Sequence, residues 1–407
     1  MSSEISGIYH GQKGALFGLY LRTALLTLVT FGFYRFWAKT RIRTYIWSAT
    51  TGDGDGFEYT GTGLEKFLGF LFAIIVLAIY LGLIQMVLFY FGIFLFRDPE
   101  TQAETLLQMS GIYVSVLAVL PLYFFASYRA RRYRMARTRW RGVRFGMEKG
   151  AWGYVWRAIL YLLLSIISLG LFAPLQTFRL EKYMTDRTWF GDARFEQKGS
   201  WTKLYPAMKH ILIASALIVG ATAAALLLQS GTVFGLLVII GVFWFAAGIV
   251  YYRVTAFNYL TCHKVLDETI SMQSDAKTGT VLSTYVVGGL IISGLASVGF
   301  GLLAVIIGTV LGFSLAVSGD IGPDTLQDIA FTNAVFGGLV SAALYVAFVL
   351  ILGGISLVLI TQAIIAHVVG TIRIQNSDHL DTIQQRAADL GADAEGFADA
   401  LDIGAAI

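Results

Sequence analysis

The chain has 407 residues, of which 56% are hydrophobic and only 14% are charged, and its formal net charge is +4. Soluble globular chains carry about 25% charged residues, so this composition excludes an ordinary soluble domain and predicts a membrane protein. The only cysteine, Cys262, excludes a framework of internal disulfide bonds.

Six apolar segments are predicted to cross the membrane, since each approaches or exceeds the length of about 20 residues that a spanning helix needs. In chain order the predicted spans are 67–96, 111–128, 211–228, 233–252, 300–317 and 333–353. Lys and Arg concentrate in segments 38–63, 129–150, 179–209 and 253–280. Short basic loops stay in the cytosol, so these four segments are predicted to lie inside, and the six spans then alternate without conflict.

Residues 151–178 do not fit this alternation. They join two basic segments that are both predicted to be cytosolic, so they cannot cross once, and 28 residues are too few to cross twice. We therefore expect a broken re-entrant or interfacial helix pair here and, by analogy, at 14–36 and 281–299. The alternative is eight plain spans with one basic loop outside.

Three glycines mark the expected breaks, each two positions after a hydroxylated residue. The glycines are Gly32, Gly170 and Gly299, and the hydroxylated residues are Thr30, Ser168 and Ser297. Glycine reaches backbone conformations that other residues avoid. The pattern predicts that the helix stops or turns sharply at each glycine, and that the hydroxyl group bonds to a carbonyl group freed by the break.

The segment after the first break recurs, and a repeat should be sought before any other feature is interpreted. Counted from Gly32 and from Gly170, the same residue types occur at the same spacings: Arg41, Tyr45, Thr50, Phe57, Glu58 and Gly61, then Arg179, Tyr183, Thr188, Phe195, Glu196 and Gly199. A third copy keeps Arg129, Tyr133, Thr138 and Phe145, and a fourth begins with Arg253 and Phe257. The chain is therefore predicted to be built from degenerate internal repeats.

Together these features predict an all-α polytopic membrane protein. Residues 1–375 are expected to form a single transmembrane domain with repeat units at about 14–61, 129–199, 253–299 and 333–375. Residues 376–407 carry seven acidic residues against one Arg386 and are predicted to form an acidic tail in the cytosol, which places the C-terminus on the cytoplasmic side.

The first repeat resembles the YjgN family, a group of bacterial inner-membrane proteins with a domain of unknown function. Three blocks carry the resemblance: Leu26 to Ala38 with its Thr27, Thr30, Gly32, Tyr34 and Trp37; Arg43, Tyr45 and Trp47; and Phe57, Glu58, Tyr59 and Gly61. The second copy is looser, with Leu175 and Gln176 in place of Trp37 and Ala38. The resemblance implies a multi-pass protein of the bacterial inner membrane and brings no established activity.

Catalytic signatures are absent from the sequence. The five histidines share no metal-ligand spacing, and there is no His-Glu-x-x-His, Gly-x-Ser-x-Gly or phosphate-loop motif. We therefore expect no catalytic residue, cofactor or metal site, and we do not expect an enzyme.

The strongest basic run holds eight arginines between Arg129 and Arg144 without one acidic residue. It can serve as a topology anchor, or it can bind anionic lipid headgroups, for which Arg129, Arg131, Arg132 and Arg134 are the candidates. Nucleic-acid binding is disfavoured because the run lies between two apolar segments. Membrane lipids are therefore the predicted partners.

Two function classes remain open. Internal repeats with broken helices are typical of transporters and channels, and this slightly favours transport. The alternative is a non-transporting scaffold or lipid-interacting protein, favoured by the scarcity of ionisable residues in the apolar segments. The repeated residues Arg41, Tyr45 and Glu58, with Arg179, Tyr183 and Glu196, are predicted to be either an internal scaffold with an Arg–Glu pair in each copy or a ligand site.

Overall fold

The computed structural model describes residues 4–95, 97–317 and 323–386. Within these residues the chain forms five consecutive modules, each made of a strand, two helical segments and a second strand. The strands are β1 (Glu4–Tyr9), β2 (Thr50–Gly52), β3 (Asp55–Tyr59), β4 (Thr138–Trp140), β5 (Val143–Met147), β6 (Thr188–Phe190), β7 (Ala193–Gln197), β8 (Lys264–Leu266), β9 (Ile270–Ser274) and β10 (Ile372–Gln375).

The helices of the five modules differ in length. They are α1 (Lys13–Val29) and α2 (Arg35–Ser48), α3 (Gly63–Tyr90) and α4 (Gln102–Ala136), α5 (Ala151–Ile167) and α6 (Ala173–Thr185), α7 (Lys209–Leu228) and α8 (Gly231–Cys262), and α9 (Thr278–Val317), α10 (Pro323–Ser356) and α11 (Ala363–Val369). A 3-10 helix at Trp201–Met208 leads into α7, and a π-helical segment at Leu357–Gln362 joins α10 to α11. Modules one and three thus have short helices, and the other three have long ones.

The ten strands form one closed antiparallel barrel, so the prediction of an all-α fold is wrong. Each strand pairs with its neighbour in the chain, and β1 closes the ring by pairing with β10 through Glu4 and Gln375. Four of the hairpins join a strand of three residues to a strand of five. Strands this short show too little alternation of polar and apolar residues to be recognised in the sequence.

Apolar side chains fill the barrel. Its buried core contains Ile5, Trp140, Phe190, Ala193, Phe195, Leu266, Ile270, Leu380 and Ile383, with Phe57 and Phe145 packed against it. The last two core residues come from the segment after β10, where Ser377–Thr382 is a 3-10 helix. Asp192 and Gln384 hold this segment in place, since each backbone N–H donates to an oxygen of the other residue at 2.9 and 3.0 Å. The start of the predicted acidic tail therefore contributes two side chains to the barrel core. Residues 387–407 lie outside the described residues.

The repeated threonine joins α2, α4 and α6 to the barrel. The Oγ1 atoms of Thr50, Thr138 and Thr188 donate hydrogen bonds to the carbonyl groups four residues earlier, at 2.9, 2.8 and 2.9 Å. Each bond adds a side-chain donor to a carbonyl group in the last turn of the helix, where regular backbone donors are few. The repeated phenylalanine, seven residues after each threonine, packs against the barrel core. At these positions the repeat is a structural scaffold.

Six helices are long and apolar enough to cross a membrane. They are Gly63–Tyr90, Gln102–Ala136, Trp201–Ala225, Gly231–Cys262, Thr278–Ile306 and Gly337–Val369, and each overlaps one predicted span. A predominantly helical, polytopic architecture is therefore confirmed.

The predicted breaks at Gly32 and Gly170 are confirmed, and the two turns share one geometry. Phe31 and Gly32 have φ values of 49° and 92°, and Leu169 and Gly170 have 51° and 90°. The N–H groups of Gly32 and Gly170 each donate to the carbonyl group five residues earlier, at 2.7 and 2.6 Å. This bond is typical of a helix that ends in a left-handed turn.

The hydroxyl groups before these turns bond as predicted. Thr30 Oγ1 donates to the Leu26 carbonyl group at 2.8 Å and accepts from the Tyr34 N–H at 2.9 Å. Ser168 Oγ donates to the Ser165 carbonyl group at 3.2 Å and accepts from the Phe172 N–H at 3.1 Å. Each hydroxyl group therefore ends one helix and starts the next.

The third predicted break, at Gly299, is wrong, and so is the separate helix pair predicted for 281–299. Helix α9 continues through Gly299 to Val317. A Cβ atom at Gly299 would overlap the ring of Phe348 on α10. This glycine is therefore explained by close helix packing and not by a left-handed turn.

The single transmembrane domain over 1–375 stays a prediction. The chain forms two compact units. One holds the barrel strands and the helical residues between Lys39 and Thr278, and the other holds Gly11–Ala38 and Gly279–His367. The predicted repeat bounds (14–61, 129–199, 253–299 and 333–375) follow the helical pattern, whereas each observed module starts and ends in a barrel strand.

We expect Gly170→Ala to destabilise the protein by about 1 kcal/mol, because a Cβ atom is unfavourable at this positive φ. Gly82 is the matched control, since it lies inside α3 and a Cβ atom there meets nothing within 4 Å. Gly82→Ala should stabilise the helix by about 0.5–1 kcal/mol. Unfolding midpoints in detergent compare the two variants, and equal effects would contradict the role given to Gly170.

Candidate functional site

A buried carboxylate links three of the modules. Glu181 on α6 accepts from Arg131 on α4 through two hydrogen bonds, Nη1–Oε2 at 2.6 Å and Nη2–Oε1 at 3.0 Å. Lys264 on β8 donates from Nζ to Oε1 at 2.7 Å. Only 19% of the Glu181 side chain is exposed. The bidentate geometry with Arg131 is the stronger form of this contact, so Glu181 joins the second, third and fourth modules.

The neighbouring cations keep Glu181 ionised. Burial alone would raise the pKa of its carboxyl group, but the charges of Arg131 and Lys264 and their hydrogen bonds hold that pKa well below its usual value. The group is therefore a carboxylate at neutral pH. One of the two nearby positive charges is neutralised by it, and the second remains in excess.

A pocket of about 490 Å³ opens beside this carboxylate. It is lined by Thr177 and Glu181 of α6, Ile211 of α7, Ile249, Tyr252, Arg253, Ala256, Phe257, Leu260 and Thr261 of α8, and Lys264 of β8. We call it the α8 groove, because most of its wall is one face of that helix. The volume lies in the range of about 300–1,000 Å³ that is usual for small-molecule sites.

The α8 groove has an apolar part and a charged end. Ile211 and Ile249 line the apolar part. Glu181 and Lys264 line the charged end, which lies next to the barrel. Between them Tyr252 donates a hydrogen bond to Thr177 Oγ1 at 2.8 Å, which links α8 to α6. From Ile249 to Thr261 the α8 wall covers about 18 Å along the helix axis. An elongated molecule with one charged end fits this arrangement.

Arg253 is the open cation of the α8 groove. Its side chain is exposed and, among the described residues, it has no hydrogen-bond or ion-pair partner. Arg179 occupies the same repeat position in the preceding module and is also exposed without such a partner in the described part of the chain, but it does not line the groove. The two arginines therefore differ mainly in what surrounds them.

The repeated tyrosines have internal roles. Tyr183 donates from its hydroxyl group to the Gly150 carbonyl group at 2.9 Å and packs with Tyr128 and Tyr154. Tyr133, in the third copy of the motif, donates to Glu65 Oε2 at 2.8 Å, and Arg137 also binds this carboxylate. Tyr45 is half-buried on α2. For Tyr183 and Tyr133 the contacts are those of a structural scaffold.

The Arg–Glu pair predicted within each copy is not formed in the second copy. Glu196 lies on the outer side of β7 with an ion pair to Lys198 at 3.9 Å, and Arg179 joins no ion pair within the described residues. In the first copy Arg41 is exposed on α2, and Glu58 on β3 faces Arg139 of β4 across the ladder. The pairing of Arg41 with Glu58 stays a prediction.

Two of the four predicted lipid-headgroup arginines are engaged inside the protein instead. Arg131 binds Glu181, and the buried Arg132 donates from Nε to the Met147 carbonyl group at 3.0 Å. Arg129 lies over the Phe125 ring at 5.7 Å, and Arg134 is half-buried on α4. The basic run therefore serves the interior as well as the surface, because α4 passes between neighbouring modules.

In the described ranges, no group of three His, Cys, Asp or Glu side chains is placed to hold a metal ion. The candidate site is the α8 groove with its cations.

Comparison with known proteins assigns the family. Residues 6–400 match the family described as a bacterial protein of unknown function (DUF898). The chain belongs to this family. Because the match covers nearly the whole chain, the barrel and all five modules fall within the family's domain.

Curated relatives include two named inner membrane protein YjgN. The protein from Salmonella typhimurium (strain LT2) is 29% identical over 171 residues, which cover 40% of this chain and 38% of the relative. The one from Escherichia coli (strain K12) is 26% identical over 165 residues, which cover 40% and 36%. The match spans less than two-fifths of the length of these relatives. No solved structure matches the chain significantly.

Sequence reasoning missed Glu181, although the repeat contains a signal for it. Eleven residues after Gly32, and at the equivalent place in the third copy, the chain has Arg43 and Arg131, whereas the second copy has Glu181. A reversed charge at one repeat position allows neighbouring copies to pair with each other. The sequence analysis predicted pairs only between charges of the same copy.

We expect Glu181→Gln to destabilise the fold by about 3–5 kcal/mol, because it leaves Arg131 buried without its counter-charge. Glu196→Gln is the matched control; its pair is half-exposed and should be worth under about 1 kcal/mol. The pKa of Glu181 is lowered by folding, so its contribution is present above about pH 4.3 and is lost as the pH falls through the lowered value.

Unfolding curves in detergent at several pH values measure this difference. The difference in free energy of unfolding between wild type and Glu181→Gln should be constant near neutral pH and should shrink only in acid. A gap that closes between pH 6 and 8 would contradict the assignment.

Proposed function

We propose that this chain is an integral protein of the bacterial inner membrane that interacts with lipids through its cytosolic half and does not transport solutes. It acts by binding and carries out no catalysis, and it does not bind nucleic acid. The observation that carries the proposal is the exposed apolar face of the short α5–α6 helix pair.

The exposed face of α5 forms one continuous stripe. Trp152, Trp156, Leu160, Leu163 and Ile167 recur at helical spacing, and each is at least half exposed. The turn that follows is more exposed still, with 95% of Leu169 accessible. Tryptophan is favoured at the membrane–water interface, so the stripe fits a hairpin whose base lies at the headgroups and whose tip lies among the acyl chains.

Helix length limits how far this hairpin can reach. At 1.5 Å per residue, the 17 residues of α5 cover about 25 Å and the 13 residues of α6 about 20 Å. The hydrocarbon core is about 30 Å thick. The hairpin is therefore too short to cross and return, so it enters the membrane and leaves it on the same side. The first module has the same design, with Phe31 also 95% exposed at its turn.

The closed barrel supports this topology. Every module leaves the barrel by one strand and re-enters it by the next, so each module crosses the membrane twice or not at all. Modules two, four and five then supply six spans, and modules one and three re-enter. The basic segments around the strands favour the cytosolic side, and this supports a cytosolic position for the barrel and for the C-terminal segment after β10.

The internal repeat does not require a transport function. Internal repeats suggested transport because many carriers form a midplane site from broken helices. In this chain the repeated elements after each helix pair form a barrel whose interior is filled by Trp140, Phe190, Phe195 and other apolar side chains. The repeat thus has a structural purpose that needs no transported substrate.

A fluorophore on a Cys introduced at Leu163, in a Cys262→Ser background, should be quenched by nitroxide-labelled lipids. The expected reason is that this stripe residue lies among acyl chains. The same fluorophore on Lys198→Cys, next to the barrel, should be quenched far less. Equal quenching at both positions would reject the membrane-embedded hairpin.

Cysteine accessibility in right-side-out vesicles tests the topology. An impermeant thiol reagent should label Asp98→Cys from outside, because the segment between α3 and α4 is expected there. Lys198→Cys should react only after permeabilisation. Leu171→Cys, at the α5–α6 turn, should not react from outside, and external labelling of it would restore the model of eight plain spans.

A further inference from the structure

We propose that the α8 groove binds one anionic phospholipid of the cytosolic leaflet, with the phosphate group at Arg253 and an acyl chain along Ile211 and Ile249. This inference rests on the proposed lipid interaction and adds to it a defined site and a ligand class.

The charge of the α8 groove favours an anionic ligand. Arg253 and Lys264 line it together with one carboxylate, Glu181, and Arg131 lies directly behind that carboxylate. The site and its floor therefore hold three cations and one anion. Glu181 already accepts from Arg131, Lys264 and the Thr185 hydroxyl group. Because its oxygens have these partners, it offers little to the ammonium group of a zwitterionic headgroup.

Arg253 is suited to hold the phosphate group. A guanidinium group binds phosphate through two parallel N–H donors, and Arg253 is exposed without a partner among the described residues. It stands at the start of the charged half of the groove, next to Tyr252. Tyrosine is also favoured at the headgroup level. The apolar residues before this point in α8 then face the acyl chains.

The shape of the α8 groove also fits a lipid. Its wall follows α8 from Ile249 towards the barrel, and the residues that line it recur every three or four positions, as on one helix face. Ile211 forms the facing wall, and Phe257 and Leu260 continue the apolar surface between the two cations. A lipid has the same succession of an acyl chain, a phosphate group and a polar headgroup.

The repeat supplies a matched control for the role of Arg253. Arg179 holds the same repeat position, is also exposed and lacks a partner within the described ranges, but lies outside the α8 groove. General attraction of a basic surface to anionic lipid would involve both arginines alike. Only a defined binding site in the α8 groove would make lipid retention depend on Arg253 more than on Arg179.

The test is native mass spectrometry of the full-length protein extracted from vesicles of phosphatidylglycerol and phosphatidylethanolamine in equal amounts. The wild type should retain one phosphatidylglycerol molecule in preference to phosphatidylethanolamine. Arg253→Gln should lower this retention about fivefold, the effect expected for one basic residue at a membrane surface. Arg179→Gln should leave it unchanged. Ile249→Trp, which narrows the acyl part, should also lower it.

Equal losses in Arg253→Gln and Arg179→Gln, or no loss in either, would overturn the site. Equal retention of both lipids by the wild type would overturn the anionic ligand class. Unfolding midpoints of the variants are measured to exclude misfolding as a cause. Both arginines are exposed, so neither substitution should change the midpoint. If the Leu163 fluorophore is still quenched by lipid when the preference for phosphatidylglycerol is absent, only this inference fails and the proposed function stands.

Discussion

Closure of the barrel is the constraint on which the rest of the structure depends. Ten strands of three to six residues pair in a ring, and a strand of three residues is too short to be stable alone. Each strand is held by its two neighbours, by the apolar core and by the helix to which it is joined. Because both ends of every helix pair return to this ring, the barrel controls how the helical segments can be arranged across a membrane.

The barrel also explains what the internal repeat preserves. In three copies, the threonine at the helix end binds a helix carbonyl group, and the phenylalanine seven residues later packs in or against the core of the barrel. Each such pair brackets a β-hairpin, and the helices between one hairpin and the next differ in length. Modules one and three have short helices with a glycine turn, and modules two, four and five have long apolar helices, on one common base.

Charged residues at neighbouring repeat positions have different roles. At one position, an inward arginine in the second module and an inward glutamate in the third bring Arg131 and Glu181 together, and Lys264 of the fourth joins them. A buried ion pair of this kind contributes little net stability over an apolar pair, but removing one partner is costly. The network therefore links the second, third and fourth modules to one another. Two residues before Glu181, Arg179 is exposed, and Arg253 at the equivalent position of the next module is exposed as well.

The sequence by itself determined the features that depend on local residue patterns. Composition established a membrane protein, long apolar runs located six helices, and the glycines with their preceding hydroxyl groups located two turns. These features arise within a few residues, so their signals are continuous in the chain. Gly299 shows the limit, because its neighbours look the same in sequence but its glycine serves contact with the distant Phe348.

Only the tertiary structure decided the barrel, the Arg131–Glu181–Lys264 contacts and the α8 groove. Each depends on groups that are far apart in sequence, as in the pairing of Glu4 with Gln375 that closes the ring. A strand of three residues carries almost no periodic signal, and the partner of a buried charge is chosen by which helices become neighbours. The sequence analysis singled out Arg253 and Phe257 as repeat residues but missed Glu181, and it could not show that these residues lie close together, because helix packing and strand pairing between distant segments bring them to one groove.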